Sequence, residues 1–258
     1  MTVHFIGAGP GAADLLTLRA VRLLQESPIC LYAGTYIDDE VLSHCGPETE
    51  LIDTAYLNLD AITATLVAAH EAGHDVARLC SGDPSIYSAI AEQTRRLDAA
   101  GVPWDLTPGV PAYAATAALI GRELTVPEVA QSVVLTRAQK DSTKMPPGET
   151  LAAFAATNAT LVLHLAIRHT RRLADELSAH YGANCPVVVG SQVTQPEELI
   201  LRGTLADIAD QVEAAGLTQA AVIIVGWALS AEGFVESHLY SSRPPRPAGE
   251  GRPDASLV

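Results

Sequence analysis

The chain has 258 residues, of which 48% are hydrophobic and 18% are charged, and its formal net charge is −14 at pH 7. The apolar residues suffice for a sizeable core, and the acidic balance argues against binding to nucleic acid or to an anionic membrane. None of the four cysteines lies in a CxxC pair, which favours reduced thiols over a disulfide frame or a zinc site. The first residues predict a strand rather than a signal-type leader, and no apolar run reaches the length of a membrane span, so we expect a cytoplasmic protein.

Predicted strands and helices alternate along the whole chain. In the first half, strands are predicted at 3–8, 29–33, 74–80 and 104–107, and helices at 15–25, 61–71 and 86–96. In the second half, strands are predicted at 131–136, 160–165, 187–189 and 221–225, and helices at 112–120, 168–181 and 205–215. This alternation predicts an α/β protein with a largely parallel sheet in each half. We place two domains at 1–110 and 111–243, and expect 244–258 to be a disordered tail because it is rich in Pro, Gly and charge.

The segment RLCSGDPSIYSAIAEQ, residues 78–93, is the most informative part of the chain. A turn of small residues, Ser81-Gly82-Asp83-Pro84, separates a buried strand from a stretch with helical periodicity. Open α/β sheets bind their ligands at the carboxyl ends of strands. Gly82 lets the backbone approach a ligand, and Pro84 is well placed to start the helix. The pattern indicates a small-molecule site, with an ordinary strand–helix turn as the alternative.

The glycine-rich segment GAGPGA, residues 7–12, formally satisfies the dinucleotide fingerprint. That site needs backbone N–H groups for the pyrophosphate, and Pro10 removes one of them. The expected acidic residue is also missing from the strand at 29–33. We therefore interpret the segment as a loop that lines a cleft, not as a nicotinamide-dinucleotide site.

The segment HEAGH, residues 70–74, matches the zinc-protease motif by its letters. A zinc site of this type needs both histidines one turn apart on a single helix. Gly73 is expected to end the helix, so the side chains of His70 and His74 should diverge. We predict that the segment binds no metal.

Other histidines and arginines are weaker signals. We interpret His4, His164 and His169 as hydrogen-bonded or exposed side chains rather than catalysts. The basic run at 168–172 is either a solvated helix face or a local patch for an acidic ligand.

Five segments resemble, in this order, the tetrapyrrole methyltransferases of corrin and porphyrin biosynthesis: VHFIGAGPGAADLLTLRA, LYAGT, RLCSGDPSIYSAIAEQ, TPGVPA and ELTVPEVAQSVVLTR. The resemblance runs from residue 3 to about residue 240. Within the family, GDPSIYxAIxEQ and ELTxPEVxQxVxxTR look most like the subfamily that methylates precorrin-4 at carbon 11. The resemblance implies two α/β domains with S-adenosylmethionine in the cleft between them, a tetrapyrrole substrate and a homodimer.

The family's cofactor contacts can be carried over position by position. They fall on Pro10, Ser81, Gly82, Asp83, Ile86, Pro111, Ala112, Leu165 and Val193. Pro111 stands where many members have Ser or Thr, so a hydroxyl contact is lost there. The loop reads GPGAAD where many members have GPGD, which moves its acid to Asp14.

The resemblance also implies an electron-rich ring carbon as methyl acceptor and the loss of a proton. The candidate acid–base groups are Asp14, Tyr113 and Glu123. The acetate and propionate groups of the substrate require a local cationic lining in so acidic a protein. The substrate-side candidates are Thr35, Arg122, Arg137, Lys140 and Lys144. The alternatives are another precorrin or uroporphyrinogen III as substrate, a nicotinamide-dependent oxidoreductase, and a noncatalytic protein that binds S-adenosylmethionine or a tetrapyrrole.

Overall fold

Five short strands in the first half of the chain pair into one parallel sheet. The computed structural model describes residues 1–34, 36–138 and 144–237. The strands are β1 (Val3–Gly7), β2 (Ile29–Tyr32), β3 (Glu50–Asp53), β4 (Val76–Cys80) and β5 (Trp104–Thr107), in the order β3-β2-β4-β1-β5. The helices that connect them are α1 (Leu18–Glu26), α2 (Asp39–Leu42), α3 (Leu59–Glu71) and α4 (Ile90–Ala99). Every residue of β4 is buried, as expected for a central strand with helices on both faces.

The two faces of this sheet hold separate apolar clusters. Consecutive residues of β1 point to opposite faces, so Phe5 packs with Leu66 and Leu97, whereas Ile6 packs with Leu24 and other residues of the opposite cluster. Side-chain caps start α1, α2 and α3, whereas α4 begins without one. The Thr17 hydroxyl accepts a hydrogen bond from the Ala20 N–H at the start of α1, at 3.1 Å.

The connections reverse direction between the neighbouring strands β1 and β4. From β1 the chain passes through α1 to β2 on one side, and from β4 it passes through α4 to β5 on the other side. Such a reversal opens a crevice beyond the carboxyl ends of the two strands. The loops after these strands meet there, and Gly9 and Gly82 exchange backbone hydrogen bonds of 3.2 and 2.7 Å.

The second half of the chain forms a mixed sheet. Its strands are β6 (Val133–Arg137), β7 (Thr160–His164), β8 (Pro186–Ser191), β9 (Leu199–Thr204) and β10 (Ala221–Val225), in the order β6-β7-β10-β8-β9. The helices are α5 (Ala112–Leu119), α6 (Leu151–Ala155), α7 (Thr170–Tyr181) and α8 (Ile208–Ala214). Only β6 and β7 pair in parallel within the described residues; β10 runs antiparallel to β7 and β8, and β8 runs antiparallel to β9.

The predicted α/β class is confirmed, but the prediction of a largely parallel second sheet is wrong. The chain between β8 and β9 is too short for a crossover, so these strands form a hairpin. The sequence patterns did not indicate β9, whose residues are half-buried or exposed. Each sheet lies within one predicted domain, while the boundary at 110/111 stays a prediction and the predicted tail at 244–258 lies outside the described residues.

Two predicted helix boundaries have different outcomes. The helix predicted from 86 starts only at Ile90, because Tyr87 and Ala89 have left-handed backbones with φ of 53° and 51°. Pro84 therefore does not start it. The helix that carries HEAGH ends as predicted: α3 stops at Glu71, and Gly73 has a φ of 84°. His70 Nδ1 lies 2.8 Å from the Met1 carbonyl oxygen, and His74 lies beyond the helix.

Among the described residues, each helix is too short or too polar to span a membrane. The same part of the chain contains no cluster of three or more His, Cys, Asp or Glu side chains that could hold a metal ion.

Candidate functional site

Three loops of the first sheet come together without side chains between them. They follow β1, β4 and β5 and meet at Gly7, Gly82 and Gly109. A Cβ atom on Gly7 would lie 2.8 Å from the Gly82 carbonyl oxygen, and one on Gly109 would lie 2.8 Å from the Gly7 Cα. These approaches are too close for any side chain, so glycine is required at both positions.

The Asp83 carboxylate braces this junction. Its Oδ2 accepts a hydrogen bond of 2.9 Å from the Gly109 N–H, and its Oδ1 accepts one of 2.8 Å from the Ser85 N–H and another from the Ser85 hydroxyl. Burial alone would raise the pKa of Asp83, but the hydrogen bonds from Ser85 and Gly109 outweigh it and hold the pKa below its usual value. Asp83 is therefore ionised, and both of its carboxylate oxygens accept hydrogen bonds that shape the turn.

The segment between β8 and β9 closes the site from the second sheet. The Thr194 hydroxyl accepts a hydrogen bond of 3.0 Å from the Ala12 N–H, and Gln195 Nε2 donates one of 3.2 Å to the Pro10 carbonyl oxygen. Gln192 and Thr194 both have positive φ, at 44° and 67°. Sequence reasoning picked out only Val193 of this segment, because no local pattern marks a turn held by contacts to residues almost 200 positions away.

These loops and the end of β7 enclose a cavity of about 690 Å³ between the two sheets. This volume is within the usual range for small-molecule sites. All nine predicted cofactor positions line it: Pro10, Ser81, Gly82, Asp83, Ile86, Pro111, Ala112, Leu165 and Val193. The structure thus brings together residues from five separate parts of the chain, and their contact with a cofactor stays a prediction.

His164 also lines this cavity and is half-buried, and its interpretation as a side chain other than a catalyst stays a prediction. Its Nε2 is buried and has no hydrogen-bond partner among the described residues. Its ring centroid lies 5.4 Å from that of Tyr87 and 6.4 Å from that of Tyr113. Burial lowers the pKa of His164, so the imidazole is neutral near pH 7. The next residue, Leu165, has a φ of 52° and turns the chain towards the cavity.

Two arginines and one carboxylate line the cavity within the described residues. Arg78 on β4 is buried, with only 8% of its surface exposed. Arg168 lies at the exposed rim, where its Nε donates a hydrogen bond of 2.8 Å to the Thr218 carbonyl oxygen. The carboxylate is that of Asp83. The cavity is therefore locally cationic although the whole chain carries a net charge of −14. Arg168 belongs to the basic run that sequence reasoning had left open, and Arg78 was not singled out.

The predicted acid–base residues do not line the cavity. Asp14 lies in a single 3₁₀ turn, Ala13–Leu15. Glu123 accepts a hydrogen bond of 3.0 Å from the Thr125 hydroxyl. Tyr113 reaches the lining only through its edge contact with His164. The structure does not bring these three residues together.

The predicted substrate-side residues are also absent from the described lining. Arg122 Nη1 donates to the Ala231 carbonyl oxygen at 3.2 Å. Arg137 donates to the carbonyl oxygens of Ala138 and Lys144, at 3.4 and 3.5 Å. Arg137 is nevertheless the neighbour of the cavity-lining His164 across β6 and β7, and its charge lowers the pKa of the cavity-lining Tyr87 against the effect of burial. The contact of these residues with a substrate stays a prediction. Thr35 and Lys140 lie outside the described residues.

Comparisons with known proteins agree with this geometry. The family model described as tetrapyrrole (corrin/porphyrin) methylases matches residues 2–209. A Rhodococcus erythropolis protein named precorrin-4 C(11)-methyltransferase is 56% identical over 242 residues, which is 94% of this chain and 97% of the relative. The solved structure of a cobalt precorrin-4 methyltransferase is 35% identical with a TM-score of 0.85, covering 88% of this chain and 95% of that one. A Thermus thermophilus uroporphyrin-III C-methyltransferase complexed with S-adenosylhomocysteine is 27% identical with a TM-score of 0.74, covering 89% and 93%.

Proposed function

The chain belongs to the tetrapyrrole (corrin/porphyrin) methylases, and from that premise we propose that it is an S-adenosylmethionine-dependent C-methyltransferase that methylates precorrin-4 at carbon 11. A relative named for this reaction shares 56% identity over nearly the full length of both chains. The observation that supports the proposal is that all nine predicted cofactor positions line one cavity, where the connections of the first sheet reverse direction.

The cavity wall suits a ligand that is held mainly by backbone groups. Gly82 has a φ of 67°, and a Cβ atom placed there would meet only the Pro111 Cα, at 3.7 Å. The space beside Gly82 is therefore open to a ligand. Bound S-adenosylmethionine would supply a methyl group that its sulfonium already activates. The turn at 81–83 and the start of α5 at Pro111 and Ala112 would hold the donor in line with its acceptor.

The residues at the site are assigned to three further roles: positioning of the turn, acid–base chemistry and binding of the substrate. Asp83 uses both carboxylate oxygens on Ser85 and Gly109, so we assign it to positioning the turn and not to proton transfer. Acid–base roles for Asp14, Tyr113 and Glu123 stay predictions, and only Tyr113 contacts a lining residue. For the carboxylates of the tetrapyrrole we propose Arg168, at the rim of the cavity, in addition to the predicted Arg122, Arg137 and Lys144.

Two further parts of the proposal are a homodimer, which the family resemblance supports, and a cytoplasmic location, which the widely spaced cysteines favour. A second candidate function is the same methylation on a substrate that already carries cobalt. The solved relative with a TM-score of 0.85 is named for cobalt precorrin-4, which favours testing it. A noncatalytic binding protein and a nicotinamide-dependent enzyme are the alternatives from other classes.

One experiment separates these alternatives. The purified protein is incubated with methyl-labelled S-adenosylmethionine and precorrin-4, either cobalt-free or cobalt-loaded, and the tetrapyrrole is analysed by mass spectrometry. We expect one labelled methyl group on carbon 11. Binding of both ligands without transfer would show a noncatalytic protein. Calorimetry that detects NAD but no S-adenosylhomocysteine would contradict the cofactor proposal.

A further inference from the structure

Arg78 is a buried cation in the middle of the first sheet. It lies on β4, the central strand, and only 8% of its surface is exposed. An arginine is almost never buried to this extent unless it is paired, because removing a charge from water is costly. The partners of this guanidinium therefore indicate what it does.

The protein supplies Arg78 with neutral acceptors only. Its Nε donates to Gln93 Oε1 at 3.3 Å, and its Nη1 donates to the Thr54 hydroxyl at 3.3 Å. Two further Nη1 contacts, to the carbonyl oxygens of Leu31 and Leu79, are 3.5 and 3.4 Å long. All four are longer than the charge-assisted hydrogen bonds that guanidinium groups form with carboxylates. No described residue accepts a hydrogen bond from Nη2, and none forms an ion pair with Arg78.

Two thiols, those of Cys80 and Cys30, would balance the positive charge of Arg78 if they were ionised, but neither is. Burial raises the pKa of Cys80 to about 11, and the pKa of Cys30 is raised by its contact with Cys45 and by burial. Both thiols are thus protonated near pH 7. Burial also lowers the pKa of Arg78, as expected for a cation without a counterion.

The cavity is where the missing counterion can be bound. Arg78 is among the residues that line it, and the described residues leave its Nη2 without an acceptor. We propose that Arg78 binds a carboxylate of the ligand in this cavity and is a specificity-determining residue for it. The inference rests on the proposed function, which offers two sources of this carboxylate: the amino-acid end of S-adenosylmethionine and an acetate or propionate group of the tetrapyrrole.

Two substitutions test this inference. Arg78→Met keeps the length of the side chain and removes its charge, and Arg78→Lys keeps the charge but cannot form two parallel hydrogen bonds. Calorimetry of both variants uses S-adenosylhomocysteine, 5′-methylthioadenosine, which lacks the amino-acid carboxylate, and precorrin-4. Arg22→Met is the matched control, because Arg22 is exposed on α1 and pairs with Glu26 at 3.0 Å.

If the carboxylate belongs to the cofactor, Arg78→Met loses roughly ten- to a hundredfold in affinity for S-adenosylhomocysteine and nothing for 5′-methylthioadenosine. If it belongs to the tetrapyrrole, the same loss appears with precorrin-4 alone. Arg78→Lys is expected to lose roughly three- to tenfold for the same ligand, and it carries the test if Arg78→Met does not fold. Unchanged affinities, or equal losses for S-adenosylhomocysteine and 5′-methylthioadenosine, would overturn the inference.

The wild-type protein separates this inference from the proposed function. If the wild type binds neither S-adenosylhomocysteine nor precorrin-4, the proposed function fails and takes the inference with it. If the wild type and Arg22→Met bind both ligands and the Arg78 variants bind them equally well, only the inference fails.

Discussion

The carboxylate of Asp83 and the backbone N–H of Gly109 are joined by a hydrogen bond of 2.9 Å. Asp83 follows β4 and Gly109 follows β5, and β1 lies between these two strands in the sheet. The bond therefore passes over the end of β1, where Gly7 has no side chain to obstruct it. In this way one acidic side chain fixes the relative positions of two loops that line the cavity.

The first prediction is that Asp83→Ala weakens the binding of S-adenosylhomocysteine by about tenfold or more, since ligand binding must then order two loose loops at a cost above about 1.4 kcal/mol. Asp207→Ala is the matched control. Asp207 also braces a turn, where its Oδ1 accepts hydrogen bonds from the Thr204 N–H and hydroxyl at 2.6 and 3.0 Å, and it does not line the cavity. Both variants should lose about 1–2 kcal/mol in the free energy of unfolding. Calorimetry and chemical denaturation measure the two effects, and equal ligand affinities in both variants would refute the role of Asp83.

A second prediction compares two glycines with left-handed backbones. Gly82 and Gly73 have φ of 67° and 84°, so an alanine at either position should cost about 1 kcal/mol in stability. A Cβ atom at Gly73 has nothing within 4 Å, whereas at Gly82 it enters the space beside Pro111 that a ligand needs. We expect Gly82→Ala, and more strongly Gly82→Val, to lose affinity for S-adenosylhomocysteine while Gly73→Ala keeps it. If both alanine variants bind as the wild type does, the turn at 81–83 is not part of the site.

The strand ends could be predicted from the sequence because their signals are local. A buried run followed by small residues marks the turns after β1 and β4, and the family resemblance then assigned nine positions that the fold brings to one cavity. The direction of strand pairing in the second sheet could not be predicted in this way, because no pattern indicated β9. Without β9, the order β8, α8, β10 looks like a parallel crossover, whereas the β8–β9 hairpin makes β10 antiparallel to β8. Residues 86–96 have helical periodicity, but α4 begins only at Ile90 because Tyr87 and Ala89 have left-handed backbones.

Arg78, one of the two cations of the cavity, was missed for a different reason. The sequence of β4, VARLC, contains one arginine in an apolar run, and this pattern predicts a buried charge. The significance of Arg78 depends on what surrounds it, namely residues of β2, α4 and the loop after β3. Arg122 and Arg137 instead have backbone carbonyl partners that no spacing rule indicates.

The third prediction concerns the rim of the cavity. Arg168 lines it and forms no ion pair among the described residues, whereas Arg172 pairs with Glu176 at 3.3 Å on the exposed face of α7. Arg168→Ala should weaken tetrapyrrole binding roughly tenfold, with a smaller loss at high salt because the wild-type interaction is itself screened. Arg172→Ala should bind as the wild type does. Titration with precorrin-4 at two ionic strengths tests this, and a greater loss in Arg122→Ala than in Arg168→Ala would show that Arg122, and not Arg168, binds the tetrapyrrole carboxylates.

A fourth prediction is that HEAGH binds no zinc. The helix ends at Glu71, and the His70 imidazole already contacts the Met1 carbonyl oxygen at 2.8 Å. Metal analysis of the purified protein should therefore find no stoichiometric zinc. Zinc that is present in the wild type and lost in His74→Ala would show that the two histidines converge in solution.

The fifth prediction concerns His164, whose ring lies between Tyr87 and Tyr113 and whose buried Nε2 has no partner among the described residues. Phenylalanine can keep both ring contacts without a polar atom that needs a partner. We therefore expect His164→Phe to be as stable as the wild type at pH 7.5, or more stable, in chemical denaturation. His180→Phe is the control, because His180 is exposed near the end of α7.

The difference between His164→Phe and the wild type should grow in acid. Burial holds the pKa of His164 below its unfolded value of 6.5, so the unfolded chain takes up the proton first as the pH falls. The stabilisation from the neutral imidazole is complete above pH 6.5 and is lost as the pH falls towards the lowered pKa, at up to about 1.4 kcal/mol per pH unit. Free energies of unfolding measured from pH 7.5 to 5 should therefore fall less steeply in His164→Phe than in the wild type and in His180→Phe. Three parallel curves would mean that the imidazole is solvated, and that the contact with Tyr87 does not close over it in solution.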